Sequence, residues 1–129
     1  MSKILIADDE PHVLRVLKLS LEKEGYAVET CSNGKEALQR LEQSHPEILI
    51  TDIQMPLMTG EELCKHINQH MPERKFLIFV LTSRTEIEHR EWSRDIPNLL
   101  FLEKPVSIRN LLDKIEGYFA QTTDSWRVS

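Results

Sequence analysis

Short apolar runs of strand length, residues 3–7, 48–51, 76–81 and 99–103, alternate along this chain with stretches in which large aliphatic residues recur every three or four positions. A run of four to eight residues that is apolar without alternation fits a strand buried on both faces. Such strands alternating with amphipathic helices fit a parallel sheet covered on both sides. A weaker run near 27–31 completes five strands. The helical stripes are Val13, Leu14, Leu17 and Leu21; Ala37, Leu38 and Leu41; Leu63, Ile67 and Met71; and Ile108, Leu111, Leu112, Ile115 and Phe119. Pro11 suits a first helical turn and Gly25 a helix stop, while Thr59 with Glu62, and Thr85 with Glu88, have the spacing of a capping box. The fourth helix, roughly 85–94, has only Ile87 and Trp92 as large apolar residues, so it is expected to be loosely held.

Polar groups stand where these strands end. Asp8 and Asp9 follow the first, Asp52 the third, Thr82 the fourth and Lys104 the fifth. In an open parallel sheet the ligand crevice lies beyond the carboxyl ends of the strands, so these residues are expected to share one rim. Adjacent carboxylates suit a hard divalent cation such as Mg²⁺, which takes oxygen ligands and keeps several waters. Left alone they would repel and raise one another's pKa; a cation or the ammonium of Lys104 relieves that cost. A carboxylate can also attack phosphorus to form an acyl phosphate, with catalysis resting on positioning and charge neutralisation.

With 129 residues, 40% hydrophobic, the chain fits one domain with one core, residues 1–120, followed by a polar tail or linker start at 121–129. The longest apolar run is far too short for a membrane span, and the early apolar segment is cut off by acidic residues, so neither membrane insertion nor a secretory signal is expected. Cys31 and Cys64, widely separated, read as small core residues in a reducing compartment, which makes the expected location cytoplasmic. The net charge of −5 leaves no basic footprint for direct nucleic-acid binding.

Four segments carry a resemblance in register: Lys3-Ile-Leu-Ile-Ala-Asp8-Asp9-Glu10, Asp52-Ile-Gln-Met-Pro56-Leu-Met-Thr-Gly60, the strand leading into Thr82-Ser83, and Phe101-Leu-Glu-Lys104-Pro105. Together they resemble the receiver domain of two-component response regulators over about residues 3–119. The resemblance implies a flavodoxin-like, doubly wound α/β fold, a five-stranded parallel sheet in the order 2-1-3-4-5 with five helices; the chemotaxis member of the family is a standard instance of that order. It implies that Asp52 accepts a phosphoryl group and that Asp9, with Asp8, Asp52 and the backbone carbonyl of Gln54, holds Mg²⁺ or Mn²⁺. Lys104 would pair with a phosphoryl oxygen, across a Lys104–Pro105 bond that is commonly cis. Thr82 and Phe101 would act as the switch that re-shapes the face of the fourth helix, fifth strand and fifth helix. Gln54 and Arg84 occupy positions that tune the rates of phosphate gain and loss. The implied partners are a sensor histidine kinase or histidine phosphotransfer protein and a downstream protein or effector domain, and the same switch face is the surface for a homodimer. The only catalysis implied is of the domain's own phosphorylation and dephosphorylation, in a regulator that stands alone or belongs to a longer chain.

Departures and rivals stand beside that reading. Phe101 replaces the commoner Tyr, and Asp95-Ile-Pro-Asn98 replaces a small-residue approach to the fifth strand. A phosphatase of the haloacid dehalogenase type would want an Asp where Gln54 stands, and a flavin binder would want a phosphate-cradling loop where Asp8, Asp9 and Glu10 stand. The remaining alternative is a receiver-like interaction module that works without phosphorylation. Glu62, His66 and His70, four apart on one helix face, have ligand spacing for zinc but no fourth partner. His12 and His89 read as surface residues. Trp92 is either an exposed anchor for a partner or a ring lying on its own domain.

Overall fold

The computed structural model describes residues 2–128 and takes the expected architecture. In chain order the elements are β1 (Lys3–Ala7), α1 (Pro11–Lys23), β2 (Ala27–Cys31), α2 (Gly34–Ser44), β3 (Ile48–Asp52), α3 (Gly60–His70), β4 (Leu77–Thr82), α4 (Arg84–Ile87), β5 (Leu99–Glu103) and α5 (Ile108–Val128). All four strand pairings are parallel and the sheet order is β2-β1-β3-β4-β5. Alternate residues of each strand point to opposite faces, which divides the core in two. Ile4, Ile6, Ile48, Ile50, Phe79 and Leu81 pack with Leu17 and Leu21 of α1 and Leu111 and Ile115 of α5. Leu5, Ala7, Leu49, Ile78 and Val80 pack with Ala37 and Leu41 of α2 and Leu63 and Ile67 of α3. Helix α5 runs as far as Val128, into the segment expected from its composition to be a polar tail, whose last residue, 129, lies outside the described residues.

Local chemistry explains most boundaries. Pro11 opens α1, and Gly25 follows its C-cap at φ 97°, a left-handed position that glycine takes without a Cβ penalty. The Thr59–Glu62 capping box is present at the start of α3. The expected Thr85–Glu88 box is not: the box at this helix joins Ser83 to Glu86, and Glu88 falls at the C-cap. Ser83 follows the buried end of β4 directly, so the helix starts as soon as the strand stops. The expected helix over 85–94 is also corrected. It is one turn, Arg84–Ile87, followed by a 3-10 turn at Glu91–Ser93. Without a continuous apolar stripe a longer helix has nothing to bury; the break instead brings Ile96 into the core and sets Trp92 edge-on to Phe101, with ring centroids 5.8 Å apart. Trp92 therefore lies on its own domain.

Cys31 and Cys64 are free and buried. Burial pushes both thiols up to about 12, so neither is a thiolate at neutral pH. Iodoacetamide is expected to leave both unmodified in the folded protein and to alkylate both in denaturant; rapid labelling of the native protein would contradict this packing.

Candidate functional site

The sheet order makes β1 and β3 neighbours, with β4 and β5 following, so the four polar strand ends converge at one edge. Asp52 is the last residue of β3 and is 3% exposed, Asp8 follows β1 and is wholly buried, and Asp9 is exposed beside it. One carboxylate oxygen from each of Asp8, Asp9 and Asp52 lies within 4.8 Å of the others. Lys104 reaches in from the end of β5, its Nζ 2.6 Å from Asp52 Oδ1. That oxygen also accepts from the Ile53 N–H at 2.8 Å. The backbone of Lys104 is tied to the same rim, its N–H donating to the Thr82 carbonyl at 2.7 Å, and the Lys104–Pro105 peptide is cis.

Electrostatics here are unsettled without a cation. Asp8 Oδ1 accepts from the Glu10 N–H, but Asp8 Oδ2 is buried with no hydrogen-bond partner. An orphaned buried carboxylate oxygen calls for an explanation, and an ion is one. Burial raises the Asp8 pKa above the ordinary value, and the like charge of Asp52 adds to it, against the lowering effect of the Glu10 N–H. Asp52 is likewise raised, chiefly by burial, which outweighs the opposing pull of Lys104. Burial alone would lower Lys104, but its bond to Asp52 and the charges of Asp52 and Asp8 raise it, so the ammonium stays charged. Three clustered carboxylates facing one ammonium leave a negative excess, and an all-oxygen donor set suits Mg²⁺ or Mn²⁺.

The packing around Asp52 is set by a close approach. Gly60, the first residue of α3, donates its N–H to the Ile53 carbonyl at 2.7 Å, and a Cβ placed on it would lie 2.1 Å from the Asp52 carbonyl oxygen. Only glycine lets α3 press so near the strand end. Thr82 is buried at the end of β4, its hydroxyl donating to the Ser83 carbonyl at 3.1 Å, and Phe101 is half-buried against Trp92.

Two residues at the mouth behave in ways that sequence did not foretell. Gln54 Nε2 donates to Glu86 Oε2 at 3.2 Å, a bridge from the loop after β3 to the first turn of α4. Arg84 is 87% exposed and ion-paired with Glu103 at 3.6 Å. Glu86 was missed because its place depends on where α4 begins; the Ser83-x-x-Glu86 spacing was the available signal. The site does not include Glu62, His66 or His70. Glu62 is engaged in the α3 cap, and the His66 and His70 rings pair with each other, centroids 4.2 Å apart. Among the described residues Asp8, Asp9 and Asp52 form the one cluster of metal-ligating side chains.

Comparison with known proteins agrees with the topology. The family model described as the response regulator receiver domain matches residues 4–116. The chain is 32% identical over 115 residues to the alkaline phosphatase synthesis transcriptional regulatory protein PhoP of Bacillus subtilis, covering 89% of this chain and 47% of that protein. It thus spans about half the length of the curated relatives it matches. Among solved structures, chemotaxis response regulator CheY4 of Vibrio cholerae superposes with a TM-score of 0.81 at 29% identity, covering 90% of this chain and 97% of the other. Response regulator TrrA of Thermotoga maritima, solved in complex with Mg²⁺ and BeF, superposes with a TM-score of 0.79 at 29% identity, covering 91% and 98%. Among the described residues no helix is long and apolar enough to cross a membrane.

Proposed function

Since the chain belongs to the response regulator receiver domain family, we propose that it relays a signal by accepting a phosphoryl group on Asp52 from a phosphohistidine of a sensor kinase or phosphotransfer protein. The observation that carries this reading is the convergence of Asp8, Asp9, Asp52 and Lys104, residues from three strand ends, around one carboxylate. Asp52 Oδ1 is held by Lys104 and the Ile53 N–H, which leaves Oδ2 to attack phosphorus. The P–N bond to the donor imidazole breaks as the P–O bond to Asp52 forms, and the departing ring nitrogen takes up a proton. Water later cleaves the acyl phosphate, returning the carboxylate and inorganic phosphate.

Asp8, Asp9, Asp52 and the backbone carbonyl of Gln54 would hold Mg²⁺ or Mn²⁺, which when bound supplies positive charge opposite the transferring oxygens. Lys104 supplies charge from the opposite wall. Thr82, at the end of β4, would donate its hydroxyl to a phosphoryl oxygen in place of the Ser83 carbonyl. Phe101 would shift with it, altering the face of α4, β5 and α5 that a downstream partner, an effector domain or a second copy reads. Gln54 and Arg84 at the mouth would set how fast phosphate is gained and lost. The setting is cytoplasmic, and the domain catalyses only its own modification.

The direct test is incubation with acetyl phosphate and Mg²⁺, followed by intact mass and peptide mapping. One added phosphoryl group on Asp52 is expected; an unchanged mass would favour an interaction module that works without phosphorylation.

A second measurement addresses the metal. Asp8→Asn keeps an oxygen for the Glu10 N–H while removing a buried like charge, so the metal-free variant is expected to melt about 3–6 °C higher, the effect of about 1 kcal/mol in a domain this size. Mg²⁺ is expected to raise the melting point of the native protein and to lose most of that effect in the variant. Equal stabilisation of both by Mg²⁺ would remove Asp8 from the metal set.

A further inference from the structure

We propose that Glu86 is an anionic guard at the mouth of the phosphoryl site, a specificity-determining residue that disfavours small anionic phosphodonors. This rests on the phosphoacceptor reading of Asp52. Glu86 stands on the first turn of α4, and its side chain is fixed from two directions. Oε1 accepts from the Ser83 N–H at 2.8 Å and Oε2 accepts from Gln54 Nε2 at 3.2 Å. The carboxylate therefore links the loop after β3 to the start of α4, and it acts electrostatically on both Asp52 and Lys104.

The balance of charge makes this placement matter. With one divalent cation held there, Asp8, Asp9 and Asp52 against Lys104 would sum to zero formal charge. At the rim Arg84 is matched by Glu103. Glu86 and Glu10, which acts on Asp8, are then the unmatched carboxylates beside the site, and Glu86 is the one bonded to Gln54 and Ser83, just after Asp52 and Thr82 in the chain. A small dianion such as acetyl phosphate meets that charge with nothing to offset it. A protein donor approaches with a surface of its own and can place a cation or a hydrogen-bond donor against Glu86, so the guard discriminates between donor classes.

Glu86→Gln removes the charge and preserves an acceptor for the Ser83 N–H, since Gln also serves at this position of a capping box. Glu88→Gln makes the same charge change on the exposed C-cap of the same helix and serves as the control. With acetyl phosphate and Mg²⁺ the second-order rate of Asp52 phosphorylation is expected to rise about three- to tenfold in Glu86→Gln at low ionic strength, the size of one partly screened charge. The advantage should shrink as salt is added, a response that a merely structural role for Glu86 would not produce. Glu88→Gln should match the native rate. Equal rates for native protein and Glu86→Gln at every salt concentration, with both labelled on Asp52, would overturn the guard alone. Absence of label on both would overturn the phosphoacceptor reading together with it.

Discussion

Asp52→Asn is expected to reduce phosphoryl acceptance to nothing detectable while leaving the fold intact. The amide is nearly isosteric, its oxygen can still accept from the Ile53 N–H and Lys104, and it removes a buried charge whose ionised form the surroundings disfavour. The variant should therefore be at least as stable as the native protein in the absence of metal, so loss of label is not to be explained by unfolding. Intact mass after acetyl phosphate and Mg²⁺, together with thermal melting, checks both halves. A phosphoryl group retained on the folded variant would move the acceptor elsewhere.

Gly60→Ala is expected to have the largest effect on stability, a loss of about 3 kcal/mol, at the upper end of what overpacking costs. The new methyl would stand 2.1 Å from the Asp52 carbonyl oxygen and 2.9 Å from the Ile53 Cα, both backbone atoms that cannot swing aside as a side-chain tip can. Either α3 retreats, breaking the 2.7 Å bond from the Gly60 N–H to the Ile53 carbonyl, or the end of β3 tilts and carries Asp52 with it. Mg²⁺ affinity should fall along with stability. Gly117→Ala supplies the contrast, because nothing lies within 4 Å of a Cβ there and α5 gains a better helix former; it should stabilise by up to about 1 kcal/mol. Urea midpoints for the two variants, with unchanged slopes, give the comparison directly. A Gly60→Ala midpoint equal to the native one would show that α3 does not seat as described.

These two glycines also show where reading from sequence stops. Both stand at helical positions, and nothing local separates the one that touches backbone from the one that touches nothing. The same holds for the mouth of the site. Ser83–Glu86 and Thr85–Glu88 are equivalent as patterns, and the choice between them depends on where β4 ends. That choice carries Glu86 to Gln54, 32 residues away in the chain. Trp92 was ambiguous for a related reason, since its partner Phe101 is brought beside it only when the α4 segment breaks.

What the sequence alone determined is what repeats or terminates locally: five strand runs, of which β1, β3 and β4 are the buried ones, the helical stripes between them, the Pro11 start, the Gly25 stop, the Thr59–Glu62 cap, and the polar residues that follow or end β1, β3, β4 and β5. Periodicity and capping act over a few residues, so they are legible without coordinates. The tertiary structure alone decided which Asp52 oxygen Lys104 holds, that Asp8 has an orphaned oxygen, that Gly60 must have no side chain, and that Glu86 bonds to Gln54. Each of these is a distance between elements remote in sequence. Such distances follow from how helices settle on the sheet, which the chain sets through its packing as a whole and through no single motif.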